Sequence, residues 1–418
     1  MKIIYYLKKR SWNLFAYKPK LKIYLMAILL LSCTAMLLKD IKVDQTFAFA
    51  EKQTALMLKA IDAYMEGSKS ENKKSEPVSP RTIENGELVM VPSRDWTSGF
   101  FPGELWYLYE YTKDQKWLKE AQKFTAKLEP EKWNGKTHDM GFKIYCSYGN
   151  GYRLTKDETY KDIIIQSAKT LCTRFNPKTA VIRSWDHNQD KWINPVIIDN
   201  MMNLELLFAA TRFTGDSSFY HIAVSHANTT MKNHFRPDYS SYHVLDYDPQ
   251  TGEVLKKNTH QGNSHESSWA RGQAWAIYGF TMCYRETKDR KYLELAQRAA
   301  DYFLTQINKI EDNIPYWDFS DPAIPKVSRD ASAAAVAASA MIELSQWSED
   351  KRYFTGAEQM LQSLNSEEYL AEPGTNGFFL LKHSTGHKPH NSEIDVPIVY
   401  ADYYFLEALM RYKSHKEK

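Results

Sequence analysis

The sequence predicts an all-α fold, a single (α/α)6 barrel in which six helix pairs close into a ring. Three observations predict it. A Thr/Ser-x-Asp triplet with an aromatic three residues after the Asp occurs five times. A second landmark stands 15 to 18 residues before each triplet. The stretches between landmark and triplet are apolar around much of a helical circumference, as a central position requires. An open solenoid is the alternative that the same repeats allow.

The chain opens with Lys8, Lys9, Arg10, Lys18, Lys20 and Lys22 ahead of an uncharged apolar run from Ile23 to Leu38. Such a run is short for a bilayer span and close to the core of a signal peptide. Within it, Leu30-Leu31-Ser32-Cys33 resembles a bacterial lipoprotein cleavage box, with Cys33 as the acylated residue. Residues 1–45 are therefore expected to be an export segment. Export would place the protein in the periplasm or at the cell surface of a bacterium, touching membrane only through an N-terminal lipid anchor. A single domain is expected over residues 50–415, beginning with a helix at 50–66. Residues 67–90 are polar and broken by Pro77 and Pro80, and read as a loop. No later stretch reads as an interdomain linker.

The repeats then follow. They are Thr112-Lys113-Asp114 with Trp117, Thr155-Lys156-Asp157 with Tyr160, Thr214-Gly215-Asp216 with Phe219, Thr287-Lys288-Asp289 with Tyr292, and Ser348-Glu349-Asp350 with Tyr353. In four of them an Ala sits seven residues past the Asp: Ala121, Ala223, Ala296 and Ala357. The Asp can cap an outer helix whose aromatic and Ala share one face. The upstream landmarks are Trp96, Asp139, Asp199, Arg271 and Asp330, with Asp395 placed similarly before the C-terminal end. Each unit reads as a polar start, a buried helix, a turn and an outer helix. If the ring closes, all inner helices run the same way and the six landmarks gather at one mouth.

Charge excludes one class of partner. The chain carries 54 Lys/Arg and 51 Asp/Glu, but residues 1–50 hold nine and two of them. The remainder has 45 basic and 49 acidic residues, and no basic stripe of the kind nucleic-acid binding needs. Cys146, Cys172 and Cys283 are widely spaced and lack CxxC pairing, so buried free thiols are expected. His383, His387 and His390 suggest a metal site, but Gly386 and Pro389 break the helix an i, i+4 pair would need, and no metal is expected.

The segments around the landmarks carry a resemblance. Asp95-Trp96-Thr97-Ser98-Gly99-Phe100-Phe101-Pro102-Gly103, His138-Asp139-Met140-Gly141-Phe142, Ile198-Asp199-Asn200-Met201-Met202-Asn203-Leu204 and Trp269-Ala270-Arg271-Gly272-Gln273-Ala274-Trp275 resemble unsaturated glucuronyl hydrolases, glycoside hydrolase family 88. Arg329-Asp330-Ala331-Ser332-Ala333-Ala334-Ala335 and Glu393-Ile394-Asp395-Val396-Pro397 fit the same pattern, and the motifs run in order from about residue 90 to 410. The resemblance implies an (α/α)6 barrel that removes the Δ4,5-unsaturated uronic acid from lyase-generated oligosaccharides, with no cofactor. In that chemistry the vinyl ether is protonated at C4, water adds at C5, and the hemiketal collapses.

By resemblance Asp199 is the general acid/base and Asp139 the paired carboxylate. Trp96, Trp269 and Trp275 shape the sugar subsite, and His243, Gln261 and Arg271 contact substrate, with Arg271 suited to a uronate carboxylate. Ser384 and Lys388 are candidates for a sulfate contact. Each has a plainer alternative: a helix cap for the Asp residues, core packing for the Trp residues, and surface loop for the rest. Asp199 also carries a tension. It heads a helix, whose dipole lowers a carboxyl pKa, whereas a general acid needs a raised one. Asp139 and the apolar Ile197, Ile198, Met201 and Met202 push the other way. The parent polymer stays open among heparin or heparan, chondroitin, hyaluronan and plant or algal polyuronides, with pectin fragments or non-catalytic glycan binding as the rival readings. The sequence leaves the oligomeric state unspecified.

Overall fold

The computed structural model describes residues 41–67 and 76–418; the export segment and Cys33 lie outside the described residues. The first helix, α1, spans Val43–Gly67, about two turns longer at its start than the sequence suggested. Eleven more follow: α2 (Phe100–Thr112), α3 (Gln115–Ala126), α4 (Asn150–Thr155), α5 (Glu158–Cys172), α6 (Leu204–Thr214), α7 (Ser217–Asn233), α8 (Ala270–Thr287), α9 (Arg290–Ile307), α10 (Ala331–Ser345), α11 (Arg352–Leu364) and α12 (Val399–Lys416). A π-helical segment, Gly141–Gly149, runs straight into α4.

The inner wall consists of α2, the π-segment with α4, α6, α8, α10 and α12. Each packs on the next, and α12 returns to α2, so the ring is closed rather than an open solenoid. These helices lack a wet face. In α10 every residue from Ala331 to Leu344 is buried, and in α8 every residue from Ala270 to Cys283. The outer helices α1, α3, α5, α7, α9 and α11 bury one stripe only. Ala121, Ala223, Ala296 and Ala357 are all fully buried on that stripe.

The Thr-x-Asp triplets make the inner-to-outer turns by one repeated device. In the first, Thr112 Oγ1 donates back to Leu108 O and accepts from Asp114 N, and Asp114 accepts from Lys116 N at the start of α3. Lys113 between them takes φ +59° and donates its N–H to Tyr109 O. The second, third and fourth triplets repeat this with Lys156, Gly215 and Lys288 in the left-handed conformation. The fifth keeps the Asp350 cap on Arg352 N.

Residues 77–92 differ from expectation. The polar stretch holds an antiparallel hairpin, β1 (Pro77–Glu84) and β2 (Glu87–Pro92), turned at Asn85-Gly86. Further short strands lie in the connections: β3 (Phe175–Asn176), β4 (Val181–Ile182), β5 (Pro195–Ile197), β6 (Val244–Tyr247), β7 (Val254–Asn258), β8 (Ser384–His387) and β9 (Ser392–Val396). The two sheets β5-β6-β7 and β8-β9 matter below, because they hold the loops around the mouth. Cys146 and Cys283 are buried free thiols as expected, while Cys172 is only partly buried.

Candidate active site

The inner-helix starts do gather. Arg271, in the first turn of α8, pairs with Asp330, the cap of α10, at 2.6 Å. Trp96, ahead of α2, lies 5.5 Å from Phe142 at the π-segment start and 5.0 Å from Tyr400 at the start of α12. Phe142 in turn lies 5.3 Å from Trp275 of α8. Asp199 sits in a 3-10 turn, Ile198–Asn203, leading into α6. The close approach is made by glycine. A Cβ on Gly272 would fall 2.7 Å from Trp269 Cε3, and one on Gly99 would fall 2.2 Å from Phe142 O.

Asp199 is 7% exposed, and its carboxyl pKa is pushed up to about 7. Burial is the main cause and the Asp139 charge adds to it, while Arg271, the local backbone and the Trp275 indole N–H oppose it. Desolvation therefore wins the contest posed by the helix start. Asp139 lies two residues ahead of the π-segment. Its Oδ2 accepts from Thr137 Oγ1 at 2.5 Å, and its Oδ1 is 3.2 Å from His138 Nε2.

His243 supplies a directed donor. Its Nδ1 accepts the backbone N–H groups of His260 and Gln261, at 3.0 and 3.1 Å. Burial lowers its pKa well below the ordinary value, so the ring is neutral with its proton on Nε2. That Nε2 faces Asp199 Oδ2 at 3.6 Å. Gln261 Nε2 donates to Gly386 O, tying the loop after β7 to the β8–β9 hairpin.

The remaining expected contacts are mostly buried. Arg271 is 1% exposed, and its Nη1 donates to Asp330 Oδ2 and Thr385 O while Nη2 donates to Gly386 O. Most of its donors hold protein, which makes it a buried clamp and a fixed positive charge, while its Nε is left without a partner among the described residues. Trp275 is fully buried, and Trp269 is sandwiched between His243 (4.7 Å) and the Arg271 guanidinium (4.5 Å). Of the three Trp residues only Trp96 keeps a partly exposed ring. Ser384 is fully buried, whereas the Lys388 ammonium lies 3.4 Å from Asp321 and 5.0 Å over Trp317. Ser384 Oγ finds no hydrogen-bond partner among the described residues. Asp395, expected at the mouth, instead pairs with His383 at 2.6 Å on the hairpin. Its place is taken by Tyr400, which is fully buried. Sequence reading missed Tyr400 because it sought a polar landmark, although Tyr400 starts the sixth inner helix as Trp96 precedes the first.

The histidine cluster also differs. His383 is drawn off by Asp395, and His260 joins His387 and His390 in its place. Burial, with the adjoining imidazoles, lowers His260 to about 4 and His387 to about 3.

Asp199 Oδ2, His243 Nε2, Trp275 Nε1, Arg271 Nε and Tyr400 Oη are all buried, and none makes a hydrogen bond of ordinary length among the described residues, although His243 and Trp275 both face Asp199. Buried polar atoms are normally satisfied, so a group of them around one mouth marks a place built for a polar ligand. A carboxyl titrating near neutrality among directed donors can both give and take a proton.

Comparison with known proteins agrees with this geometry. The family model described as Glycosyl Hydrolase Family 88 matches residues 68–416. An unsaturated glucuronyl hydrolase of Formosa agariphila is 56% identical over 335 residues, covering 79% of this chain and 84% of the relative. An unsaturated chondroitin disaccharide hydrolase of Streptococcus pneumoniae is 34% identical, covering 80% and 85%. A crystal structure of an unsaturated glucuronyl hydrolase specific for heparin superposes with TM-score 0.84 at 46% identity, over 91% of this chain and 99% of that one. With the closed helical ring and the matched motifs from mouth to C-terminus, the chain belongs to glycosyl hydrolase family 88 and is a glycoside hydrolase.

Proposed function

We propose that this chain, an unsaturated glucuronyl hydrolase, acts on heparin- or heparan-derived disaccharides, with Asp199 as the group that gives and then takes the proton. The observation that carries the proposal is a carboxyl held at about 7 amid unpartnered buried donors. Asp199, protonated, delivers its proton to C4 of the vinyl ether as positive charge develops at C5. The resulting carboxylate accepts a proton from the water that bonds to C5. The C5 hemiketal then opens by releasing the ring oxygen, and the hemiacetal left at C1 expels the second sugar as an alcohol. His243 Nε2–H and the Trp275 indole N–H suit the carboxylate stage of Asp199, and the buried Arg271 charge steadies it.

The heparin assignment rests on degree of likeness. The heparin-specific enzyme is 46% identical, against 34% for the pneumococcal relative named for chondroitin disaccharides. Pectin fragments gain no support from relatives with these names. The deciding experiment follows the ultraviolet band of the unsaturated uronate with heparin, chondroitin and pectin lyase products. Wild type should consume the heparin disaccharide fastest, and Asp199→Asn should lose at least about a thousandfold in kcat. Consumption of pectin fragments alone, or binding without consumption, would overturn the proposal. Export with acylation of Cys33 belongs to the same proposal. Mass spectrometry of the mature N-terminus should find an acylated cysteine, and an unmodified Cys33 within an uncleaved chain would refute it.

A further inference from the structure

His260, His387 and His390 come together from two loops that are far apart in sequence. His260 follows β7, His387 ends β8, and His390 closes a 3-10 turn, Lys388–His390, between β8 and β9. One ring nitrogen from each lies within 4.8 Å of the other two. His260 Nε2 and His387 Nε2 are 3.4 Å apart. The His387 and His390 rings stack at 3.9 Å, and His260 stands edge-on to both. Trp185 and Trp192 flank His260 at 5.7 and 5.6 Å, which fixes its ring from behind.

We propose that these three histidines form a binding site for a divalent transition metal, zinc being the best match, which staples the loop after β7 to the β8–β9 hairpin. The His260–His387 separation fits that ion, and His390, stacked nearly parallel to His387, completes the set on rotation of its exposed ring. With zinc–nitrogen bonds of about 2.05 Å, two nitrogens at the His260–His387 separation subtend about 110°, near the tetrahedral angle. No oxygen ligand belongs to the set, and an all-imidazole set favours zinc, copper or nickel over magnesium or calcium. His387 Nδ1 is buried without a partner among the described residues, so the cluster holds an unmet polar atom. A fourth position is left for water or an anionic group.

The staple bears on the mouth because both loops are part of its wall. The backbone N–H groups of His260 and Gln261 set the tautomer of His243, which faces Asp199. Gln261 and Arg271 both grip Gly386 O, one residue before His387. Metal at the three histidines would hold that arrangement without taking part in the proton transfers.

The test uses the full chain without an affinity tag, treated with a chelator and titrated calorimetrically with zinc. Cobalt(II) serves as a spectroscopic probe of four-coordinate geometry. One equivalent of zinc should bind and raise Tm, and cobalt should give a tetrahedral visible spectrum without a thiolate charge-transfer band. His390→Ala, an exposed change that leaves the fold intact, and His260→Gln should each weaken zinc at least tenfold. His383→Ala, outside the cluster, should leave zinc affinity unchanged. Absence of stoichiometric binding, equal affinity in the cluster variants, or a thiolate band would overturn the proposal. None of these readouts depends on substrate, so their failure is distinct from failure of the glycosidase assignment.

Discussion

Asp199 stands where a helix start favours the charged carboxylate, yet its carboxyl titrates near 7 because burial costs the charge more than the helix, Arg271 and Trp275 return. Two consequences follow at this scale. Activity that needs protonated Asp199 should fall about tenfold per pH unit above about 7, read as kcat/KM of the free enzyme. The second concerns stability. A carboxyl whose folded pKa is raised binds more protons folded than unfolded between about 4 and 7, so its contribution to stability declines as pH rises through that window. Asp199→Asn cannot ionise and escapes the decline. It should match wild type near pH 4 and exceed it by about 4 kcal/mol at pH 8, measured by urea unfolding. A variant no more stable at pH 8 than at pH 4 relative to wild type would show that burial does not govern this carboxyl. Residue types at the mouth were legible in the sequence because they lie in long motifs. What each side chain faces was not. Arg271, Trp275 and Ser384 read as substrate contacts, and the structure shows all three buried, each with one polar atom lacking a partner among the described residues.

At the scale of elements, the most legible feature was the most local. A Thr-x-Asp turn satisfies its own backbone within about eight residues, so its signal needs no distant partner. The middle residue must take a positive φ, and Gly215 does so freely while Lys113 does so at +59°. Lys113→Gly should therefore stabilise the chain by about 0.5–1 kcal/mol, and Gly215→Ala should destabilise it by a similar amount. Asp157→Ala, which removes the bond to Thr159 N, should cost about 1 kcal/mol. Thermal unfolding of the three variants checks the set, and a destabilised Lys113→Gly would contradict the turn geometry. The hairpin at 77–92 escaped the reading because three prolines and three charges interrupt its apolar residues. Its signal was present in Asn85-Gly86, a favoured hairpin turn, and its strands gain order from outside the segment, through Thr82 bonding to Pro397 O and Arg81 to Glu393. The histidine cluster was illegible for a related reason. His260 lies 127 residues from His387, and no periodicity links a loop to a hairpin across a ring.

The ring as a whole must be held at the end away from the mouth, where no substrate motif specifies the sequence. Glu407 sits about 10 Å further along α12 than Tyr400, from two turns of helix. Its Oε1 accepts from Tyr107 of α2 and Tyr278 of α8, and its Oε2 accepts from Ser339 of α10 at 2.5 Å. Arg411 adds a cation, shared with Glu343, beside a cavity of about 640 Å³ at this end. One carboxylate thus joins four of the six inner helices, including the first and last, which makes it a closure device. Its hydroxyl partners are buried, so losing it strands three donors together. Glu407→Ala should cost about 3 kcal/mol or more in global stability. Because the pKa of Asp199 is set by burial and by Asp139 and Arg271 at the other end, the folded variant should keep the wild-type pH profile. Circular dichroism melts paired with a pH–rate profile separate the two effects. A shifted profile would mean that the two ends of the barrel are mechanically coupled, whereas lost stability with an unchanged profile would mean that the ring carries the site as a rigid frame.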